Sequence, residues 1–431
     1  MSYPDRPDIG QFAHGQFRTD YEDRPDPHAL REARVELART AMREAGLDAL
    51  LVWKNENVRY LTGLRAQLIA GKSALLNGCI LFADGGPPVL LCSGGEIQRC
   101  RTIMPWIEEL HAVPIMEARG LVRGAVETVV GPVLAGRGAT KLGIDEAGMC
   151  QYEALRELLP HVTLADGDAP MQQARRIKLP GELALMQEAC AIAEAVTQSA
   201  IDASKPGVRE LDVVADAMHT LFRLGGEEAH VTTPFVASGE HMAPPNRIAS
   251  DKIIRDGDLV FIDIGAQWAG YFGDMGRTVV VGEPNAEQQR VYTAVYDALD
   301  AATAAMKTGN TNRDVEAAVH AAAAEHGLAD RFISLFIGHG VGMGANEPPY
   351  LGESLPGDET VELETGMTFA VEPLIWIPGV AGGAGVRLED TIVVEPGGGR
   401  PLTRTGFDAK LLLGDRPVRR HDAPARTASA V

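Results

Sequence analysis

Two parts of this 431-residue chain repeat one another, and that duplication restricts how it can fold more than any single motif does. Ser204–Gly226 (SKPGVRELDVVADAMHTLFRLGG) realigns 102 residues later with Met306–Leu328 (MKTGNTNRDVEAAVHAAAAEHGL), with Lys, Gly, Asp, Val, Ala and Gly recurring in register. Downstream of each copy comes the same grammar: a glycine, an apolar strand, then an acid six residues after the glycine. Gly257–Asp263 (GDLVFID) and Gly366–Glu372 (GMTFAVE) share it. A second acid then precedes a β-branched strand, Asp274 before RTVVV and Glu389 in GVRLEDTIVV. The pattern predicts two helix-plus-hairpin halves packed about a pseudo-twofold axis, with Asp263 opposite Glu372 and Asp274 opposite Glu389.

Asp263 interrupts a buried run of Leu259, Val260, Phe261, Ile262 and Ile264, and a carboxylate there is costly unless a cation or donors compensate it. Gly265, Gly270 and Gly273 let the chain double back, so that Asp274 returns to the same point. Alone, this segment reads as an Asp in a turn and an Asp at a strand end. Four acids converging in a core do not, because they would repel one another unless metal ions sat between them. His339, between glycines in FIGHGVGMGANEPPY (Phe336–Tyr350) and after the apolar strand ISLFI, adds a nitrogen donor. One nitrogen and several carboxylates suit Mn, Co, Fe or Zn in a dinuclear hydrolytic centre.

The remaining chain frames this unit. Residues 1–27 read as an irregular arm, 28–170 as an α/β domain of alternating strands and helices, 175–413 as the duplicated unit, and 414–431 as a disordered tail. ARRIKLPGE (Ala174–Glu182) reads as the linker into a long helix from Glu182 to about Ser204. The segment NENVRYLTG after the first strand reads as a loop. With 40 basic against 59 acidic residues the net charge is −19, and no basic cluster offers a surface for nucleic acid or an anionic membrane. No apolar run of membrane-spanning length exists and the N-terminus does not resemble a signal peptide, so the expectation is a cytoplasmic protein. Its five cysteines, odd in number and without CxxC spacing, are expected to be reduced and mostly buried.

Taken together, the Asp pair, GHGVG, VEP and RLED resemble the pita-bread metallopeptidases, which include methionine aminopeptidase, aminopeptidase P, prolidase and the non-peptidase creatinase. The likeness covers about residues 28–413, and YLTG (Tyr60–Gly63) extends it into the first domain. It implies an α+β pita-bread fold preceded by a creatinase-like α/β domain. Carried over residue by residue, Asp263 would chelate one metal, Asp274 and Glu389 would bridge both, and His339 and Glu372 would complete the second. The implied activity is that of an Xaa-Pro dipeptidase or aminopeptidase P, in which a metal-bridging hydroxide attacks an amide carbonyl. Glu372 would orient or deprotonate the bridging water. Two divalent ions are implied, with manganese expected, and so is a homodimer in which Asn57, Arg59, Tyr60 and Arg65 reach over the partner's site.

Two departures qualify the resemblance. Peptide-cleaving members carry histidines where this chain has Asn246 (APPNRIASDKIIRDGD) and Asn346 (GHGVGMGANEPP). Those histidines bond the scissile carbonyl, whereas Asn donates but does not titrate near neutrality. His241 and His230 are possible stand-ins, though the plainer reading of each is a surface or packing histidine. Asn246, Asn346, His241 and Arg387 are therefore the expected substrate contacts, with Arg387 alternatively holding Glu389 from behind. The dimethylsulfoniopropionate lyases of the same fold also lack the two histidines, which keeps a lyase or amidohydrolase on a small zwitterion as the alternative. That branch, however, uses an acid and a Tyr where this chain has Ala345 and Ser334. Tyr271 and Trp268, between the two aspartates, read as core or lid aromatics.

Overall fold

A computed structural model describes residues 25–66, 74–242, 248–333, 337–352 and 359–418. It divides into two compact units, Asp26–Arg175 and one beginning at Arg176.

The first unit opens with α1 (Pro27–Glu44). Asp26 accepts a hydrogen bond from His28 N–H at 2.8 Å, and Pro27 occupies the first turn, where its missing donor has no helical partner to lose. Behind α1 lies a six-stranded sheet in the order β4-β3-β2-β1-β5-β6, made of β1 (Ala49–Lys54), β2 (Ala74–Phe82), β3 (Val89–Cys92), β4 (Glu109–Ala112), β5 (Lys141–Ile144) and β6 (Thr163–Asp166). The segment after β1 is a helix, α2 (Asn55–Thr62), rather than a loop. Asp145, just past β5, accepts from Trp53 N, Lys54 N and Asn57 Nδ2 and so fixes the turn into α2; Gly63, at φ +77°, ends it. Burial pushes the Asp145 carboxyl up to about 6 against the pull of these donors. Asn57 also bonds Arg175, and the Tyr60 hydroxyl donates to Ala174 O at 3.0 Å. Both side chains are spent inside their own unit, which corrects the expectation that they reach outward.

The second unit carries the duplication openly. Its helices are α3 (Pro180–Ala203), α4 (Glu210–Arg223), α5 (Ala286–Ala305) and α6 (Asn312–Glu325). The helices α4 and α6 are both 14 residues long and keep the sequence offset of the repeat. One half forms a three-stranded sheet, β11-β8-β7, from β7 (Phe235–Ser238), β8 (Leu259–Asp263) and β11 (Gly276–Val280). Between β8 and β11 lies the small hairpin β9 (Ala266–Trp268) and β10 (Tyr271–Gly273). The other half forms a five-stranded sheet, β13-β12-β14-β17-β18, from β12 (Gly338–Gly340), β13 (Glu347–Leu351), β14 (Thr368–Val371), β17 (Asp390–Val393) and β18 (Arg400–Pro401). Its matching small hairpin is β15 (Leu374–Trp376) and β16 (Gly385–Arg387). Each half packs its own helices on its own sheet, with one core around Val213, Val236 and Ile262 and the other around Val315, Phe369 and Ile392.

The halves join where Glu389 N donates to Gly276 O at 3.0 Å and Thr391 Oγ1 bonds both backbone groups of Asp274. His339 lies inside β12, flanked by β13 and β14, rather than in a loop following a strand. At the C-terminal end Arg416 pairs with Asp297 at 2.7 Å and the Tyr296 hydroxyl donates to Pro417 O. Packed chain therefore extends beyond residue 413; residues 419–431, like the arm at 1–24, lie outside the described residues. All five cysteines are free thiols and four are buried.

The hairpin between the two aspartates is pressed against α3. A Cβ on Gly273 would stand 2.4 Å from Cys190 N and 2.6 Å from Cys190 Cα, contacts with helix backbone that no rotamer change relieves. Gly273→Ala is expected to destabilise the protein by about 1–3 kcal/mol or more, as overpacking does. The reading is a lower urea midpoint, and an unchanged midpoint would mean that α3 can step back freely.

Candidate metal centre

Each acid arrives on a defined end of the duplicated sheets. Asp263 is the last residue of β8, Asp274 sits in the turn before β11, Glu372 follows β14 directly and Glu389 precedes β17. All four are buried, as is His339. Their donor atoms fall into overlapping groups whose members lie within 4.8 Å of one another: Asp274 with His339 and Glu389, Asp263 with Glu372 and Glu389, and Asp263 with Asp274 and His230.

Among the described residues, Asp263 Oδ1, Asp274 Oδ1 and Glu389 Oε2 are buried and accept no hydrogen bond. A buried carboxylate oxygen without a donor is destabilising, and a cation is the natural partner for three of them. His339 suits the same role. Its Nδ1 lies 3.0 Å from Gly340 O, so Nδ1–H donates there, and Nε2, 3.3 Å from Glu372 Oε1, is the nitrogen that would give up its proton to ligate a metal. The residues present thus fit a hard divalent ion with one nitrogen donor.

Arg387 stands inside the cluster, its Nη1 2.7 Å from Asp263 Oδ2 and 2.9 Å from Glu372 Oε2. Arg387 also lines the cavity, and its ion pairs run to one acid from each half. Burial disfavours charge on Glu372, but Arg387 and the hydrogen bond from His339 override it and hold the carboxyl below its usual range. Glu389 and Asp274 go the other way. Burial, reinforced by the neighbouring carboxylates, raises both, Glu389 well above an ordinary glutamate. Burial also opposes charge on His339, yet the bond to Glu372 and the charges of Glu372 and Asp274 lift it to about 9.

A cavity of about 230 Å³ opens onto these groups, walled by His230, Val231, Phe235, Ala345 and Asn346. Asn346 and Ala345 therefore face the centre, whereas Asn246 and Ser334 lie outside the described residues. The expected contact His241 is absent from the walls. It ends a short 3-10 turn and pairs instead with Ser250, 3.3 Å away, near Glu210. His230, a possible stand-in whose plainer reading from sequence is a surface or packing histidine, lies with Nε2 3.4 Å from Asp263 Oδ1 and Nδ1 3.6 Å from Asp274 Oδ1. No repeat or spacing marked it. Arg277 was missed: it is buried in the seam, donating to Glu389 O at 2.5 Å and pairing with Asp390 at 2.8 Å, and so fixes the backbone from which Glu389 projects. Tyr271 is buried, with its hydroxyl 2.5 Å from Glu182. No helix among the described residues is long and apolar enough to cross a membrane.

These shifts set a pH dependence. His339 lies above its ordinary 6.5, so the stability it adds to metal-free protein is complete below that value and is lost as pH rises through about 9. Raised Glu389 and Asp274 act in the same direction, and lowered Glu372 is already ionised in this window. Protein treated with EDTA should melt at a lower temperature at about pH 9 than at about pH 6.5, and added Mn²⁺ should raise the melting point more at the higher pH. A metal-free protein that gains stability across that interval would contradict this arrangement.

Comparison with known proteins gives the same picture. Residues 184–396 match metallopeptidase family M24, and residues 34–177 match the creatinase/prolidase N-terminal domain. An Xaa-Pro dipeptidase of Pyrococcus horikoshii is 31% identical over 367 residues, which span 84% of this chain and 95% of that protein. Among solved structures, an Xaa-Pro dipeptidase from Bacillus anthracis superposes with a TM-score of 0.74 at 26% identity, over 89% of this chain and all of that one. The prolidase from Pyrococcus horikoshii OT3 gives 0.72 at 29% identity, over 87% of this chain and 99% of that one.

Proposed function

This chain belongs to metallopeptidase family M24, a metal-dependent peptidase with a pita-bread fold, and we propose that it hydrolyses Xaa-Pro dipeptides through a dinuclear centre held by Asp263, Asp274, His339, Glu372 and Glu389. One observation carries the reading: three buried carboxylate oxygens that accept no hydrogen bond belong to acids grouped within ligand distance, beside a histidine whose Nε2 faces Glu372. Divalent ions supply Lewis-acid polarisation of an amide carbonyl and activation of water. Every other part falls to the chain. Glu372, held ionised by Arg387, accepts a proton from the attacking water. Phe235 and Val231 present an apolar wall to the substrate, and the Asn346 amide offers a donor that does not titrate.

The finer parts of the reading are two manganese ions, a homodimer and a cytoplasmic setting. Four oxygen-donor side chains to one imidazole support a hard ion of the manganese type. The free thiols support a reducing compartment. The resemblance to dimeric peptidases of this architecture supports the dimer.

Two measurements test the proposal. Mn-loaded protein should bind about two ions per chain and cleave Xaa-Pro dipeptides at about 1 per second or faster, an ordinary enzymatic rate. Two ions with no cleavage of any Xaa-Pro peptide would instead favour a small zwitterionic substrate. Glu372→Gln should lower kcat by about 10²-fold or more, the usual worth of a general base. Retained turnover in that variant would remove Glu372 from the chemistry.

A further inference from the structure

His230 is a second site histidine, and its hydrogen bonding is opposite to that of His339. Gly265 N–H donates to His230 Nδ1 at 2.6 Å. An imidazole nitrogen that accepts must hold a lone pair, so the ring proton is on Nε2. Turning the ring over would set a C–H against that N–H at the same separation, which excludes the flipped orientation. The close approach depends on glycine, since a Cβ on Gly265 would stand 2.7 Å from Asp274 Oδ1 and 3.0 Å from His230 Cβ. Phe235 meets the ring edge-on, with centroids 5.9 Å apart, and fixes its plane.

Distance alone would admit His230 as a sixth metal ligand, because it groups with Asp263 and Asp274. The proton on Nε2 forbids that, since a ligating nitrogen needs its lone pair. Nor is His230 a copy of His339 produced by the duplication. His339 pairs with Ala370 of β14, and the equivalent position in the first half is Ala237, paired with Phe261 of β8. His230 lies outside that symmetry, in the segment leading into β7, at the wall of the same cavity as Asn346.

We propose that His230 is a fixed hydrogen-bond donor of the active centre. Its Nε2–H bonds the oxygen of the carbonyl under attack, on the Asp263 side of the cavity, supplying a donor in a chain whose sequence has Asn246 and Asn346 in place of the usual histidines. The proposal rests on the peptidase reading above and needs no change of protonation state.

Two amide replacements separate donor from ligand, because the Gln amide nitrogen lies near the Nε2 position and the Asn amide lies near Nδ1. On Zn-loaded enzyme, His230→Gln should keep kcat within about tenfold of the parent. His230→Asn should lower it by about 10²-fold, the usual cost of losing one donor to the developing oxyanion, with little change in KM. Metal content by elemental analysis should be unchanged in both. Equal activity in the two variants, equal loss in both, or release of an ion from either would overturn the proposal. Long-range 1H–15N spectra of the Zn-loaded protein, with His230 assigned by its loss in His230→Gln, give a readout independent of turnover. A protonated Nε2 is expected, and a metallated Nε2 would make His230 a ligand. Should the parent enzyme cleave no Xaa-Pro peptide, the peptidase reading falls, while the spectra and metal contents still decide between donor and ligand.

Discussion

Four carboxylates buried within a few ångströms of one another are the constraint around which this molecule is built. In a medium of low dielectric, like charges at that separation cannot all remain ionised without compensation. Arg387 supplies one positive charge and divides it between Asp263 and Glu372, one acid from each half. That leaves Asp274 and Glu389, which burial and their neighbours drive toward the protonated form. The two pairs are thus unequal before any ion arrives: one shares a guanidinium at ion-pair distance, and the other does not. Backbone that would otherwise relax is held at the seam by Arg277, Thr391 and the glycine hairpin against α3.

Much of this was legible in the sequence because it is written as repetition. The offset between Ser204–Gly226 and Met306–Leu328 survives in the three-dimensional structure as two helices of equal length, and the glycine-to-acid spacing does bring all four acids to one place. A strand's period fixes where its terminal residue points, so acids at strand ends were readable. What could not be read were contacts made by side chains without a local pattern. Arg387 bonds across the duplication rather than to the nearby Glu389, and nothing in RLED specifies that choice. His230 reaches the cavity only through the path of the chain into β7. The helix at Asn55–Thr62 was hidden for a similar reason: its entry is fixed by Asp145, about ninety residues away in sequence.

The two site histidines show how backbone selects chemistry. They share a residue type, a cavity and a carboxylate-rich setting. Gly340 O takes the Nδ1 proton of one, while Gly265 N–H claims the Nδ1 lone pair of the other. The Nε2 atoms that face the acids therefore differ: that of His339 can shed its proton and ligate while Nδ1 keeps one, whereas that of His230 has to donate. A list of nearby residues would not distinguish them; the direction of a single hydrogen bond does.

Because each half contributes two of the four acids, neither could assemble this centre alone. A half-length ancestor would have made it only as a symmetric pair, with every substitution appearing twice across a true axis. Two halves in one chain are free of that bond between copies. One half could then settle on aspartates and the other on glutamates, with Ala237 standing where its counterpart became His339. The present asymmetry, including a donor on one side and a ligand on the other, is a freedom that a strictly symmetric assembly does not have.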